Sequence, residues 1–173
     1  MCRLLCLLTL LHTALHAAQP VTRTFYVTGV ECGSCVYMVQ QSITETKGVE
    51  DATVIQLIDA YANVTYDAQR LTEHQIAQAV REAIPLHGQP YLATLKLKMP
   101  TYAAHASEVD AAFAAWKDIV WLETTDKAKG ELTIHFHELK ADAKKADPRG
   151  WTLAQLDAAL KPLGVAYTLE KEG

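Results

Sequence analysis

Gly29-Val30-Glu31-Cys32-Gly33-Ser34-Cys35 sits where one sequence periodicity gives way to another. Upstream, Thr24-Phe25-Tyr26-Val27-Thr28 alternates as an extended strand does, with Phe25 and Val27 on one face; downstream, Val36, Val39 and Ile43 mark an amphipathic helix. A strand-to-helix turn therefore carries two closely spaced thiols. Cys35 falls in the first helical turn, where free backbone N–H groups and the helix dipole favour thiolate over thiol. Gly33 and Ser34 are small enough to let both sulfurs face one ion, and thiolates prefer soft or borderline metals such as Cu(I) and Zn(II). The stretch reads as a metal-binding loop.

The 173 residues allow one large domain or two small ones, and half of them are apolar, ample for a folded core. After Met1-Cys2-Arg3, Leu4 to Ala18 is an apolar run of roughly fifteen residues, short of the about twenty that cross a bilayer. Residues 1–18 read as a secretory signal peptide, with an uncleaved N-terminal anchor as the alternative. No later stretch is long and apolar enough to span a membrane. Removing the leader removes Cys2, Cys6 and Arg3, leaves Cys32 and Cys35, and takes the net charge from −4 to about −5. The protein is expected to be exported, periplasmic or secreted, where an empty cysteine pair can close as a disulfide. Mild acidity without a basic cluster argues against nucleic acid as a partner.

Taken in order, the chain reads strand, helix, strand, strand, helix, strand from Thr24 onward. The first strand covers Thr24 to Val30, the first helix about Ser34 to Thr46, and two strands follow at about Ala52–Leu57 and Tyr61–Tyr66. Thr72-x-x-Gln75 is a capping box ahead of a second helix whose buried stripe is Ile76, Ala79, Val80, Ala83 and Ile84, ending at Pro85. Pro90 to Lys98 reads as a strand. This order suits an antiparallel sheet with both helices on one face, a ferredoxin-like βαββαβ sandwich of the α+β class.

The same order then recurs. An offset of 70 places Phe25 on Leu95, Ile43 on Phe113, Val64 on Ile134 and Tyr66 on Phe136. After a charged loop over His137–Gly150 the offset becomes 80, placing Ile76 on Leu156 and Val80 on Leu160 behind a second capping box, Thr152-x-x-Gln155, with Val165 to Leu169 as the last strand. Two ferredoxin-like units in tandem are expected, residues 22–93 and 94–173. Pro90 to Met99 is claimed by both: either one strand bridges the units or the first unit's last strand is only Gln89–Ala93. In the second unit Tyr102 and His105 fall where the cysteines would be, so it reads as a copy without the metal site. Trp116, Trp121 and Trp151 are expected in its core or against the first unit, and His135 and His137 share one strand face, polar or weakly chelating.

In Gly29–Cys35 and the βαββαβ order, Thr24 to about Lys98 resembles the heavy-metal-associated domain family, which includes copper chaperones, modules of metal-exporting P-type ATPases and the periplasmic mercury-binding protein. Gly48-Val49 and Val64-Thr65-Tyr66-Asp67 support the resemblance, and the leader makes the mercury-binding protein the nearest in layout. The resemblance puts Cys32 and Cys35 in the metal-ligand places and Gly29 at the opening of the loop. Val30 replaces the usual methionine beneath it, and Glu31 replaces the usual threonine. An acidic residue at that place helps bind Zn(II) in zinc-exporting modules, so Glu31 is a candidate third ligand, or else a solvated loop charge. His87 lies in a loop that approaches the metal loop in this family, where some copper chaperones carry an auxiliary histidine ligand; the alternative is an exposed loop histidine. Two thiolates alone suit Cu(I) or Hg(II); adding Glu31 and His87 would approach the four-coordinate site of Zn(II).

The expected function is that of an exported protein holding one soft metal ion, Cu(I) first, with Zn(II), Hg(II) or Cd(II) as alternatives, and passing it by ligand exchange to a metal transporter or another metal-binding domain. No general base, nucleophile triad or phosphate loop is visible, so no enzyme is expected. Thiol–disulfide exchange is one rival, but Glu31 before Cys32 disfavours the thiolate and the element order is not that of a thioredoxin. An interaction module with a structural disulfide is the other. Cys32-Gly33-Ser34-Cys35 also brushes against the papain nucleophile signature, but Val36 stands where that signature has an aromatic.

Overall fold

The computed structural model describes residues 20–56, 58–139 and 150–172; the expected leader and most of the charged loop at 137–150 lie outside them. The strands are β1 (Val21–Thr28), β2 (Val49–Ile55), β3 (Tyr61–Tyr66), β4 (Leu92–Lys98), β5 (Val120–Asp126), β6 (Glu131–Phe136) and β7 (Thr168–Leu169). Between them run α1 (Gly33–Thr44), α2 (Glu73–Glu82), α3 (Tyr102–Ala114) and α4 (Leu153–Leu160). All strand pairs are antiparallel, in the order β2-β3-β1-β4-β6-β5, with β7 also on β4. Among the described residues no helix is long and apolar enough to cross a membrane.

One strand bridges the two βαββαβ patterns. On one edge β4 pairs with β1 through Leu92–Thr94 and with β7 through Leu97–Lys98; on the other it pairs with β6 through Thr94–Lys98. It is thus the fourth strand of the first ferredoxin-like pattern and the first strand of the second. Ala93, Leu95 and Leu97 face the same side as Val27 and Ile134, so one continuous core runs under all four helices. The positions related by the offsets of 70 and 80 are buried in matching elements: Phe25 and Leu95, Ile43 and Phe113, Val64 and Ile134, Val80 and Leu160. The opposite face is polar and partly covered by the C-terminal residues. There the Tyr26 hydroxyl donates to Glu172 at 3.0 Å, Asn63 Nδ2 donates to the Glu172 carbonyl at 2.7 Å, and Lys96 Nζ sits 3.9 Å above the Tyr26 ring.

Both capping boxes form. Thr72 and Thr152 each accept from the N–H of the residue three places on, and the Gln75 and Gln155 side chains reach back to the cap N–H. Three expectations are corrected. Ile84 is 63 % exposed and no part of the buried stripe, because α2 stops at Glu82 and Ala83 turns extended (ψ 138°) ahead of Ile84-Pro85, where helical backbone is disfavoured. Trp121 leaves the core: alternation turns Val120 inward and Trp121 outward, stacked on His135 with ring centroids 3.8 Å apart. His135 donates through Nε2 to Glu123 at 2.7 Å, while His137 offers its backbone carbonyl to His74. The last strand, read over Val165–Leu169, pairs only at Thr168 and Leu169. Trp151 is fully buried, ringed by Phe113, Trp116 and Phe136.

The outer face of α2 fastens the two halves. Glu73, buried, accepts from the Tyr66 hydroxyl at 2.8 Å and from the Leu153 N–H at 3.2 Å, so its carboxylate sits at the start of α4, where a negative charge is favoured. His74, fully buried, accepts the Trp151 N–H on Nδ1 at 3.3 Å and meets the His137 carbonyl through Nε2 at 2.7 Å, which defines a neutral ring protonated at Nε2. Arg81 Nη2 donates to the Phe136 carbonyl at 3.1 Å.

Burial pulls His74 below the ordinary imidazole range; Arg81 and His137 push the same way, and the bond to the His137 carbonyl opposes them. The unfolded chain therefore takes up this proton first, so the stability is fully present above about pH 6.5 and is lost as the pH falls below it. The urea midpoint is expected to decline between about pH 7 and pH 5.5, more steeply in the native chain than in His74→Phe. Parallel curves would remove His74 as the titrating group. Gly150 has φ +78°, and a Cβ there would lie 2.6 Å from His74 Nδ1. Gly150→Ala is expected to cost on the order of 2 kcal/mol, read as a lowered urea midpoint.

Candidate metal centre

Four local features build the loop between β1 and α1. Gly29 turns the chain at φ +85°, and a Cβ there would come within 3.3 Å of Tyr91 Cδ1, so the loop lies directly on that ring. Val30 is buried beneath it, filling the place the family resemblance reserves for methionine. Cys32 is the N-cap of α1, in extended conformation, and its Sγ accepts the Cys35 N–H at 3.2 Å, so the outer sulfur already satisfies one free donor of the helix start. Gly33 is exposed, and a Cβ there would meet nothing within 4 Å.

The two sulfurs differ in access. Cys35 is fully buried against Val39 and the sheet, whereas Cys32 is half-buried at the surface. They are joined as a disulfide, with Cα atoms 5.1 Å apart. Reduction by two electrons and two protons yields two thiols, of which the outer is reachable first; the helix start above them favours their deprotonation.

His87 lies in the loop between α2 and β4. That loop is anchored by the Leu86 N–H, which donates to the Tyr91 hydroxyl at 3.3 Å. Tyr91, itself buried, therefore touches both loops: its ring lies against Gly29 and its hydroxyl holds the residue before His87. The result is a cluster in which ligand atoms of Cys32, Cys35 and His87 all lie within 4.8 Å of one another. This spacing lets one ion take all three. Glu31 is exposed and not part of that cluster; it lines a cavity of about 350 Å³ with Gly29, Val30, Ile58, Asp59 and Lys96. The Lys96 ammonium spans this cavity to Asp59 at 3.5 Å. Tyr91 is the site residue that sequence reasoning passed over. An aromatic at a strand start carries no single-sequence signal of what its ring and hydroxyl will touch.

Among the described residues of the second half, the matching helix start is closed. Tyr102 begins α3 and is buried, its hydroxyl donating to Asp110 at 2.8 Å and lying 2.9 Å from the Thr124 hydroxyl. His105 sits at a kink in that helix, at φ −121°.

Residues 24–85 match the model of the heavy-metal-associated domain. Two curated Haemophilus influenzae proteins, each described as an uncharacterized protein, are 34% identical to the chain over 62 residues, which is 36% of this chain and 88% of each relative. Among solved structures, the chain is similar to the water-soluble region of the P-type ATPase CopA from Bacillus subtilis, with a TM-score of 0.40 and 18% identity over 88% of this chain and 93% of that one. It is also similar to the N-terminal soluble domains of the same ATPase, with a TM-score of 0.35 and 19% identity over 88% and 95%. With the match spanning the strand, the cysteine loop and both helices of the first βαββαβ pattern, the chain belongs to the heavy-metal-associated domain family.

Proposed function

We propose that the reduced protein holds one Cu(I) ion between Cys32, Cys35 and His87 and passes it to a metal transporter or to another metal-binding domain. The observation that carries this reading is the approach of His87 to the cysteine pair, all ligand atoms within 4.8 Å, in a loop of the heavy-metal-associated family. Two thiolates and one imidazole are soft to borderline donors that suit a low-coordinate Cu(I). Zn(II) wants a fourth donor, and Glu31, the candidate for that place, lies outside the cluster. Hg(II) fits the thiolate pair equally well and Cd(II) less so. Ligand exchange follows from access. A partner's thiolate reaches the ion from the side of exposed His87 and half-buried Cys32, the imidazole leaves, and the three-coordinate ion moves on as the sulfurs release in turn. Cys35, fully buried, is the natural last ligand.

Residues 22–93 form the metal-holding unit in this reading and 94–173 a second unit that has lost the site, with β4 serving both. The apolar run at Leu4–Ala18 supports export to an oxidising compartment, and the disulfide is the form the empty pair takes there. We read the protein as a carrier rather than an enzyme. The disulfide with one accessible sulfur favours a second reading, thiol–disulfide exchange, which reduction of insulin at catalytic rates would establish.

Competition between Cu(I) and Zn(II) for the reduced chain tests the proposal. One Cu(I) per chain is expected, abolished in Cys32→Ser/Cys35→Ser with the far-UV spectrum unchanged, and weakened on the order of tenfold, about 1.4 kcal/mol, in His87→Ala. Glu31→Ala is expected to leave Cu(I) affinity unchanged. Tighter Zn(II) binding that falls with Glu31→Ala would make the protein a zinc or cadmium carrier instead.

A further inference from the structure

We propose that the cavity where β1 and β4 part is a binding site for a small organic carboxylate with an apolar body. This site is separate from the cysteine loop and does not rest on the metal-carrying reading.

The parting follows from the strand register. β1 holds β4 only from Tyr26 to Thr28, and β4 runs on to pair Leu97 and Lys98 with β7. The C-terminal residues wedge into the fork: the Glu170 N–H donates to the Lys96 carbonyl at 2.9 Å, and the Glu172 N–H to Thr24 Oγ1 at 3.3 Å. Alternation then sorts the side chains. Glu170 and Glu172 turn to the polar face, where both meet the Tyr26 hydroxyl, while Leu169 and Lys171 turn to the helix side. Arg23 reaches the same side from β1, in step with Phe25 and Val27.

The result is a cavity of about 630 Å³ beside α4, a volume ordinary for a small-molecule site. Leu160, Val165 and Leu169 give it apolar walls. Three cations, Arg23, Lys161 and Lys171, line it against one carboxylate, Asp157, in a chain whose net charge is −4.

Arg23 decides the ligand. An arginine on the core side of a strand ordinarily has its charge paired. Here the side chain approaches the Tyr66 hydroxyl, but Nε is buried without a hydrogen-bond partner, and among the described residues Arg23 joins no ion pair. Asp157 and Glu73 share its surroundings at Tyr167, yet both are engaged. Asp157 accepts the Tyr167 hydroxyl at 2.8 Å, and Glu73 accepts the Tyr66 hydroxyl and the Leu153 N–H. An unpaired guanidinium suits a planar carboxylate, which can take two of its N–H groups at once, and the two lysines add attraction for an anion. The apolar walls favour a ligand that also brings a hydrocarbon or aromatic body.

Titration of the full, oxidised, metal-free chain with hydrocinnamate, its neutral amide and inorganic phosphate, followed by backbone N–H chemical shifts, tests this. Hydrocinnamate is expected to bind with a Kd below about 1 mM and to shift Arg23 and residues 165–169, and the amide and phosphate to bind at least about tenfold more weakly. Arg23→Gln is expected to weaken hydrocinnamate at least about tenfold. Lys161→Ala/Lys171→Ala changes only exposed side chains and is expected to weaken it about threefold, whereas Lys117→Ala/Lys127→Ala, equal in charge but away from the cavity, leaves it unchanged. Equal binding of the amide, phosphate binding as tight as hydrocinnamate, full affinity in both Arg23→Gln and Lys161→Ala/Lys171→Ala, or no saturable binding overturns the proposal.

Discussion

Both edges of β4 are occupied, and the rest of the molecule is arranged by that fact. An interior strand must find hydrogen-bond partners on two sides, and β4 finds them in β1 and β7 on one edge and β6 on the other. Because β1 takes Leu92–Thr94 and β7 takes Leu97–Lys98, the two ferredoxin-like patterns share a strand rather than a linker. A shared strand leaves no hinge, and the second half then braces the first through the sheet. The polar face of α2 adds a second fastening, with Glu73 at the start of α4 and His74 between the Trp151 N–H and the His137 carbonyl.

The metal loop takes its rigidity from this frame. β4 begins where the His87 loop ends, and Tyr91 stands immediately before it. A strand held on both edges fixes Tyr91, and Tyr91 in turn sets the distance between the two loops, its ring against Gly29 and its hydroxyl under Leu86. Ser42 fastens α1 to α2 from the other side by donating to the Ala79 carbonyl at 2.6 Å. The candidate ligand atoms thus come from two loops that Tyr91 holds together. Exposed His87 and half-buried Cys32 leave the outer side of that cluster open to solvent, while Cys35 closes the inner side.

What the sequence made legible was whatever a local rule decides. The cysteine loop, both capping boxes and the offsets of 70 and 80 depend on neighbours a few residues away or on a repeated apolar pattern, and the structure bears out each of them as elements and burial. The departures have equally local causes that a coarser rule overrode. Ile84 fits the helical period, but the following proline disfavours helical backbone at Ile84, and the chain already leaves the helix at Ala83. Trp121, expected in the core or against the first unit, is turned outward by its alternation with Val120. Tyr91 and the double use of β4 are different in kind. Nothing within ten residues of Tyr91 specifies that its ring meets Gly29, and an apolar strand pattern does not say how many partners the strand has. Those facts belong to pairing across the chain.

The two halves diverge at the start of the helix that follows their first strand. In the first half, Cys32 caps α1 and the turn beyond it is Gly33-Ser34, small and exposed, so the helix N-terminus brings one sulfur, Cys32, to the surface. In the second, Tyr102 begins α3, and its ring and hydroxyl close the same end against Asp110 and Thr124. A buried, doubly hydrogen-bonded tyrosine does for α3 what a bound ion would do for α1: it gives the helix start a fixed neighbour. Among the described residues, the candidate cluster of Cys32, Cys35 and His87 then belongs to the first pattern alone, while the second pattern contributes β6 and β7 as partners of β4.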